Sequence, residues 1–303
     1  MEEKPKTGPV ALSARHLKRQ ALYVNLDNPR DPDLLFENAE KVADIHGPLP
    51  VLDYLYDFAR EPKLPREAWT RQALVATCIQ YLLGDFFYGE PPWSMTHLFD
   101  PVARDQAVRA LASPRGLVAL TFHGGFAVGL LHFFAAFVND GLMIAPKARA
   151  QFGSLSARDS GPTLFAALRA LGEGRTVHIA PDGQFGRARS DIQVLGASCP
   201  VSDGAAFLAY ETGCDTAWYV MLRKGRMFAP LVLPGPSRAP GESFNEFRTR
   251  LQCFYEERIE EQLTGAPESL AISLTWRKPL QAAMEQRRAA LRRAGARTGG
   301  RPE

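Results

Sequence analysis

Hydrophobic and polar positions divide the chain into two regimes. Between residues 33 and 112 the apolar residues recur at mixed three- and four-residue spacings. The segments LLFENAEKVADI, VLDYLYDFA and REAWTRQALVATCIQYLLGDFF therefore read as helices. PVARDQAVRALAS is a further short helix, stopped before Pro114-Arg115-Gly116. From Gly116 short continuous apolar runs alternate with longer helical ones. GLVALTF, LMIA, RTVHIA, DTAWYVML and FAPLVL read as strands, and FAVGLLHFFAAFV, PTLFAALRALGEG and PVSDGAAFLAYETG as helices. SFNEFRTRLQCFYEERIEEQL is a long amphipathic helix near the end.

Strands alternating with helices predict an α/β fold. The expected architecture is a mostly parallel central sheet covered by helices on both faces, preceded by a helical N-terminal region. Residues 1–30 are polar and proline-punctuated and read as a loosely ordered segment. Residues 31–280 read as a single α/β domain, and 281–303 as a basic C-terminal helix and tail. From Arg287 to Arg301 that tail holds six arginines and no acid, a solvated helix end or a dock for an acidic partner.

Composition narrows the class without naming a function. A chain of 303 residues, 46% hydrophobic and 23% charged, has the make-up of an ordinary globular protein. A net charge of +3 implies neither nucleic acid nor membrane. The four cysteines (Cys78, Cys199, Cys214 and Cys253) show no metal-ligand spacing. They predict a reduced, cytoplasmic protein with no metal and no cofactor. The N-terminus lacks a signal-peptide apolar core, and Asn139 and Asp140 interrupt the most apolar internal run. A soluble chain with no transmembrane anchor is expected.

Candidate chemistry gathers at two predicted strand ends. In open α/β sheets ligands collect beyond the carboxyl ends of the strands. GLVALTF ends at His123-Gly124-Gly125, and RTVHIA ends at Pro181-Asp182-Gly183-Gln184. Right-handed crossovers would bring both ends to one rim. Gly124 and Gly125, lacking Cβ atoms, allow close approach of backbone or ligand, and their N–H groups suit an oxyanion or the donor's carbonyl. His123 is a candidate general base. The competing reading makes His123 a hydrogen-bonded turn residue. Absence of G-x-S-x-G, of a P-loop and of G-x-G-x-x-G sets aside serine-esterase and nucleotide-binding readings.

The ordered segments GLVALTFHGG, GPTLFAALRALGEGRTVHIAPDGQFG, PVSDGAAFLAYETGCDTAWYVMLRKG and FYEERIEEQLTGAPESLAISLTWRKP resemble the lysophospholipid acyltransferase superfamily. The closest likeness is to its lipid A late acyltransferase branch, from about Leu52 to Pro279. The resemblance implies acyl transfer to a hydroxyl, or here an amine, without a covalent acyl-enzyme. It places His123 at the base of an H-x4-D/E motif, whose acid orients the histidine. That acid position is Val128 here, after Phe126 and Ala127.

A valine cannot hold an imidazole tautomer, so another group must do so or catalysis is lost. Asp182 is the best substitute, with Asp159 and Glu211 weaker. Asp182 could instead bind the acceptor or only cap the Asp-Gly turn. Arg149, Arg158 and Gln184 are candidate substrate-binding residues, against a reading of the arginines as ordinary surface charge. His132 and His178 read as core histidines, and Trp93, Phe133, Phe134 and Phe137 as core aromatics rather than an acyl tunnel. The expected donor is acyl carrier protein, coenzyme A (CoA) or an aminoacyl-tRNA, and the expected acceptor a small soluble hydroxyl or amine compound. The alternatives are a catalytically inactive binding or scaffold protein of the same fold, and a hydrolase using the same base.

Overall fold

The structure, a computed structural model, describes residues 26, 31–46, 56–57, 64–88, 95–124, 126–145, 154–156, 158, 160–183, 189–265, 279–286 and 288–289. Most of the predicted VLDYLYDFA helix, most of residues 1–30 and most of the arginine tail lie outside them. Helices α1 (Leu35–His46), α2 (Arg66–Tyr88) and α3 (Pro101–Leu111) come first. α3 starts where its sequence says it should: Pro101 opens the helix, and the Asp100 carboxylate accepts the Ala103 N–H at 2.9 Å.

There follow β1 (Leu117–Leu120), α4 (Ala127–Phe137), β2 (Leu142–Ala145), β3 (Ser154–Ser156), α5 (Ser160–Gly172), β4 (Thr176–Ile179), β5 (Arg189–Val194) and β6 (Ala197–Ser202). Then come α6 (Gly204–Thr212), β7 (Asp215–Lys224), β8 (Met227–Pro234) and α7 (Phe244–Gly265). Residues 279–286 are helical again. Six strands form one sheet in the order β3-β2-β4-β1-β7-β8. All neighbours run parallel except β7 and β8, which form an antiparallel hairpin at one edge. The chain is thus α/β with a mostly parallel sheet.

The pleat assigns side chains to two faces. Ala119 pairs with His178 and Ala217. On that face His178 lies between Phe134 of α4 and Tyr219, at ring-centroid distances of 5.6 and 5.7 Å. Leu120 pairs with Trp218. On this second face Phe122 stacks on Trp218 at 5.5 Å, and Trp218 meets Tyr255 of α7 edge-on at 5.6 Å. α7 presents a buried stripe of Phe247, Leu251, Tyr255, Ile259 and Leu263 at four-residue spacing. Both faces are covered by helices, and β1, at the centre, is wholly buried.

Two elements escape the sequence reading. β3 is a three-residue edge strand, too short to carry a periodic signal. The larger miss is the β5–β6 ribbon, whose second strand takes Pro200–Ser202 from the helix predicted to begin at Pro200. Its turn, Leu195-Gly196, has φ of 52° and 81°. That is the left-handed pair a tight hairpin needs, but leucine is not the residue that advertises it. α7 closes the ribbon: Glu256 and Glu260, one turn apart, accept the N–H groups of Gln193 and Leu195 at 2.9 and 2.6 Å.

The described residues contain no helix long and apolar enough to cross a membrane. The four cysteines are unpaired, and Cys78, Cys199 and Cys214 are buried.

Two buried histidines make this fold sensitive to acid. Burial pushes the His178 imidazole down to about 3, helped by the charge of His123. Burial likewise takes His132 to about 4, against a hydrogen bond with the Leu83 backbone. Each is neutral when folded and protonated when unfolded over the interval between its lowered value and 6.5. Stability is therefore fully present above 6.5 and lost as pH falls, by about 1.4 kcal/mol per pH unit per histidine. Urea unfolding at about pH 7.5 and about pH 5 should show this loss, and His178→Leu should remove about half of the histidine share.

Candidate active site

β1 and β4 are parallel neighbours in register, Leu120 opposite Ile179, so their carboxyl ends emerge side by side. The ladder runs one residue further, through Thr121 N–H to the Ile179 carbonyl at 3.0 Å. Beyond it the two chains part. One reaches His123 after two residues; the other turns tightly through Ala180-Pro181-Asp182-Gly183, closed by Gly183 N–H to the Ala180 carbonyl at 3.2 Å. Pro181 presets the φ that such a turn requires. Because the turn is closed by backbone, the Asp182 carboxylate is not consumed in capping it.

That carboxylate is fully buried and grips His123 at two points. Oδ2 accepts the His123 backbone N–H at 2.9 Å, and Oδ1 lies 3.0 Å from the ring Nδ1. A carboxylate only accepts, so the shared proton sits on Nδ1 and Nε2 is left as the unprotonated nitrogen. The His123 side chain is 39% exposed, which leaves part of the ring open to a substrate. Burial of the imidazole lowers its pKa, but the charge and hydrogen bond of Asp182 outweigh this and hold it above 6.5.

The sequence-predicted site residues divide accordingly. His123 and Asp182 are brought into direct contact. Val128, at the acid position of the resembled motif, is half-buried and packs against the core. Glu211 is exposed on α6. Arg158 is exposed beyond β3, with β2 and β4 between β3 and β1. At ordinary strand spacing β3 stands roughly 14 Å to the side of β1. Gly125, Arg149, Asp159, Gln184 and Trp93 lie outside the described residues. Among the described residues no group of three His, Cys, Asp or Glu side chains could hold a metal ion.

Gly124 has a different reason from the expected ligand approach. A Cβ built on it would stand 2.1 Å from the Phe122 Cε2. Phe122 cannot retreat cheaply, because it is buried against Trp218 at an interplanar angle of 19°. Glycine is thus required by the protein's own ring. The next turn is set by Phe126, a non-glycine residue at φ 49°. Strain of roughly 1–3 kcal/mol is tolerated there because its fully buried ring packs on Phe228 at 5.7 Å. Phe126 is also the cap of α4, and no side chain closes that helix's first turn.

Sequence reasoning missed two further contributors. Arg189, opening β5, donates to the Gly183 carbonyl at 2.7 Å, beside Asp182. Tyr255 donates to the Thr121 carbonyl at 2.7 Å. Its hydroxyl was hidden in the apolar stripe of α7, where any tyrosine at that spacing reads as core. Against known proteins, the chain matches no family model and no curated sequence.

Two outcomes follow. Asp182→Asn removes the charge that raises the imidazole and leaves the lowering effect of burial, so the NMR titration midpoint of His123 should fall below 6.5. Gly124→Ala should destabilise by about 1–3 kcal/mol in denaturant unfolding, and Phe122→Leu in the same chain should recover part of the loss.

Proposed function

We propose that the chain is an acyltransferase, moving an acyl group from an activated ester or thioester to a hydroxyl or amine with His123 as general base. The observation that carries this reading is the two-point contact of Asp182 with His123. It offers an orienting acid where Val128 cannot, which favours an active site over an inactive scaffold. Its position at a strand's carboxyl end, the partial exposure of the His123 side chain, and the segment order resembling the lysophospholipid acyltransferases support it further.

In this reading Nε2 takes the proton from the acceptor as its oxygen or nitrogen attacks the donor carbonyl. Negative charge then develops on the carbonyl oxygen, where the Gly124 N–H and the first turn of α4 would stabilise it. The tetrahedral adduct collapses by breaking the bond to the leaving thiolate or alkoxide. The imidazolium returns its proton to that group. Asp182 stays charged throughout and offsets the transient positive charge on the ring. Candidate donors are acyl carrier protein, CoA thioesters and aminoacyl-tRNA; the acceptor class is a small hydroxyl or amine compound.

A hydrolase reading is favoured by one observation, the 39% exposure of the His123 side chain, which admits water as well as an acceptor. The products separate the two. Incubation of the protein with acyl donors and an acceptor panel, followed by mass spectrometry, should yield acylated acceptor rather than free acid. His123→Ala should lower that rate by roughly two to four orders of magnitude, and Asp182→Asn by about two or more. Product formation that is indifferent to His123→Ala would sink the proposal.

A further inference from the structure

We propose that Tyr255 is a positioning residue for the His123–Asp182 pair, its one hydroxyl touching both the strand end that carries the imidazole and the carboxylate that orients it. The phenol oxygen lies 2.7 Å from the Thr121 carbonyl and 3.5 Å from Asp182 Oδ1. Thr121 stands two residues before His123 and is fixed on its other side to Ile179. One side chain from α7 therefore ties together the ends of β1 and β4, where the pair is assembled.

The surroundings make this a directed arrangement rather than incidental packing. Asp182 is fully buried, so every donor it receives must come from protein. Both of its oxygens already accept from His123, and the single Tyr255 hydroxyl proton, given chiefly to the Thr121 carbonyl at 2.7 Å, is shared with Oδ1 at 3.5 Å. Among the described residues, the other ionisable groups nearby have partners or charge states of their own: Asp203 accepts from Ser190, Gln252 and Arg248. Burial and the charges of Asp182 and Asp191 push the Cys199 thiol up to about 12, and His178 is held down to about 3. Arg189 is turned to the Gly183 carbonyl. Burial, together with the charge of Asp182, raises the Tyr255 phenol well above its ordinary value, so it remains a donor across the working range. Edge contact with Trp218 holds the ring in place.

Tyr219 provides an internal control. It is equally buried, but on the opposite face of the sheet, and its hydroxyl meets the Leu130 carbonyl at 3.4 Å. The inference rests on reading His123 as the general base, yet its test reads the imidazole and needs no turnover. The full-length protein, Tyr255→Phe and Tyr219→Phe are each titrated by NMR through the His123 ring signals, with thermal melts recorded alongside. Losing the phenol leaves Oδ1 to the imidazolium alone, which strengthens that bond. The His123 midpoint should rise by about half a unit or more in Tyr255→Phe and stay put in Tyr219→Phe. A midpoint that is unchanged or lowered in Tyr255→Phe, or that rises equally in Tyr219→Phe, overturns the proposal. If acyl transfer fails in every assay while the midpoint rises as expected, the positioning role stands and only the assigned reaction falls.

Discussion

The pairing of a fully buried carboxylate with a histidine on the neighbouring strand is the constraint around which this molecule is organised. A charge at that depth is tolerable only if its acceptor sites are filled. The backbone N–H and the ring of His123 supply one partner to each oxygen. Both groups belong to one residue, so satisfying the aspartate also fixes the angle of the imidazole. Neither strand could shift along the other without uncovering the charge. Ring orientation is thus tied to the pairing of the two strands through one electrostatic contact.

Much of the architecture follows visibly from the hydrophobic pattern. Continuous apolar runs marked the five longer strands of the main sheet, because a strand covered on both faces has no polar alternation to show. The site was legible for a related reason: polar residues just past such runs, as at His123 and Asp182, have no packing role to explain them. Legibility stopped where chemistry was disguised as packing. Tyr255 sits in a stripe with Phe247, Leu251, Ile259 and Leu263, and nothing in that spacing separates a hydroxyl at work from a buried ring. The ribbon was lost for the opposite reason, since its turn uses leucine where glycine or asparagine would have announced it. At Gly124 the sequence suggests room for close approach of backbone or ligand, and the folded geometry adds that a Cβ there would meet Phe122, a contact between residues two apart.

The aromatic layer beneath the site links these features. Phe122, Trp218 and Tyr255 form a continuous series of ring contacts from the turn that bears His123 to the helix that closes the second face. Such rings bury large areas with few rotatable bonds, which gives the polar groups above them a floor that yields little. The placement of the His123 ring depends on a support of this kind.

The glutamates of α7 carry one further consequence. A two-stranded ribbon is marginal by itself, and backbone N–H groups left free along it are a template on which another chain can add a strand. Glu256 and Glu260 occupy two of those groups with carboxylates rooted in a helix of the same molecule. A second chain approaching there meets N–H donors already engaged and negative charge at successive helical turns. The ribbon that follows Asp182 thus has part of its hydrogen-bonding edge committed to a helix of its own fold, which leaves a second chain less to pair with there.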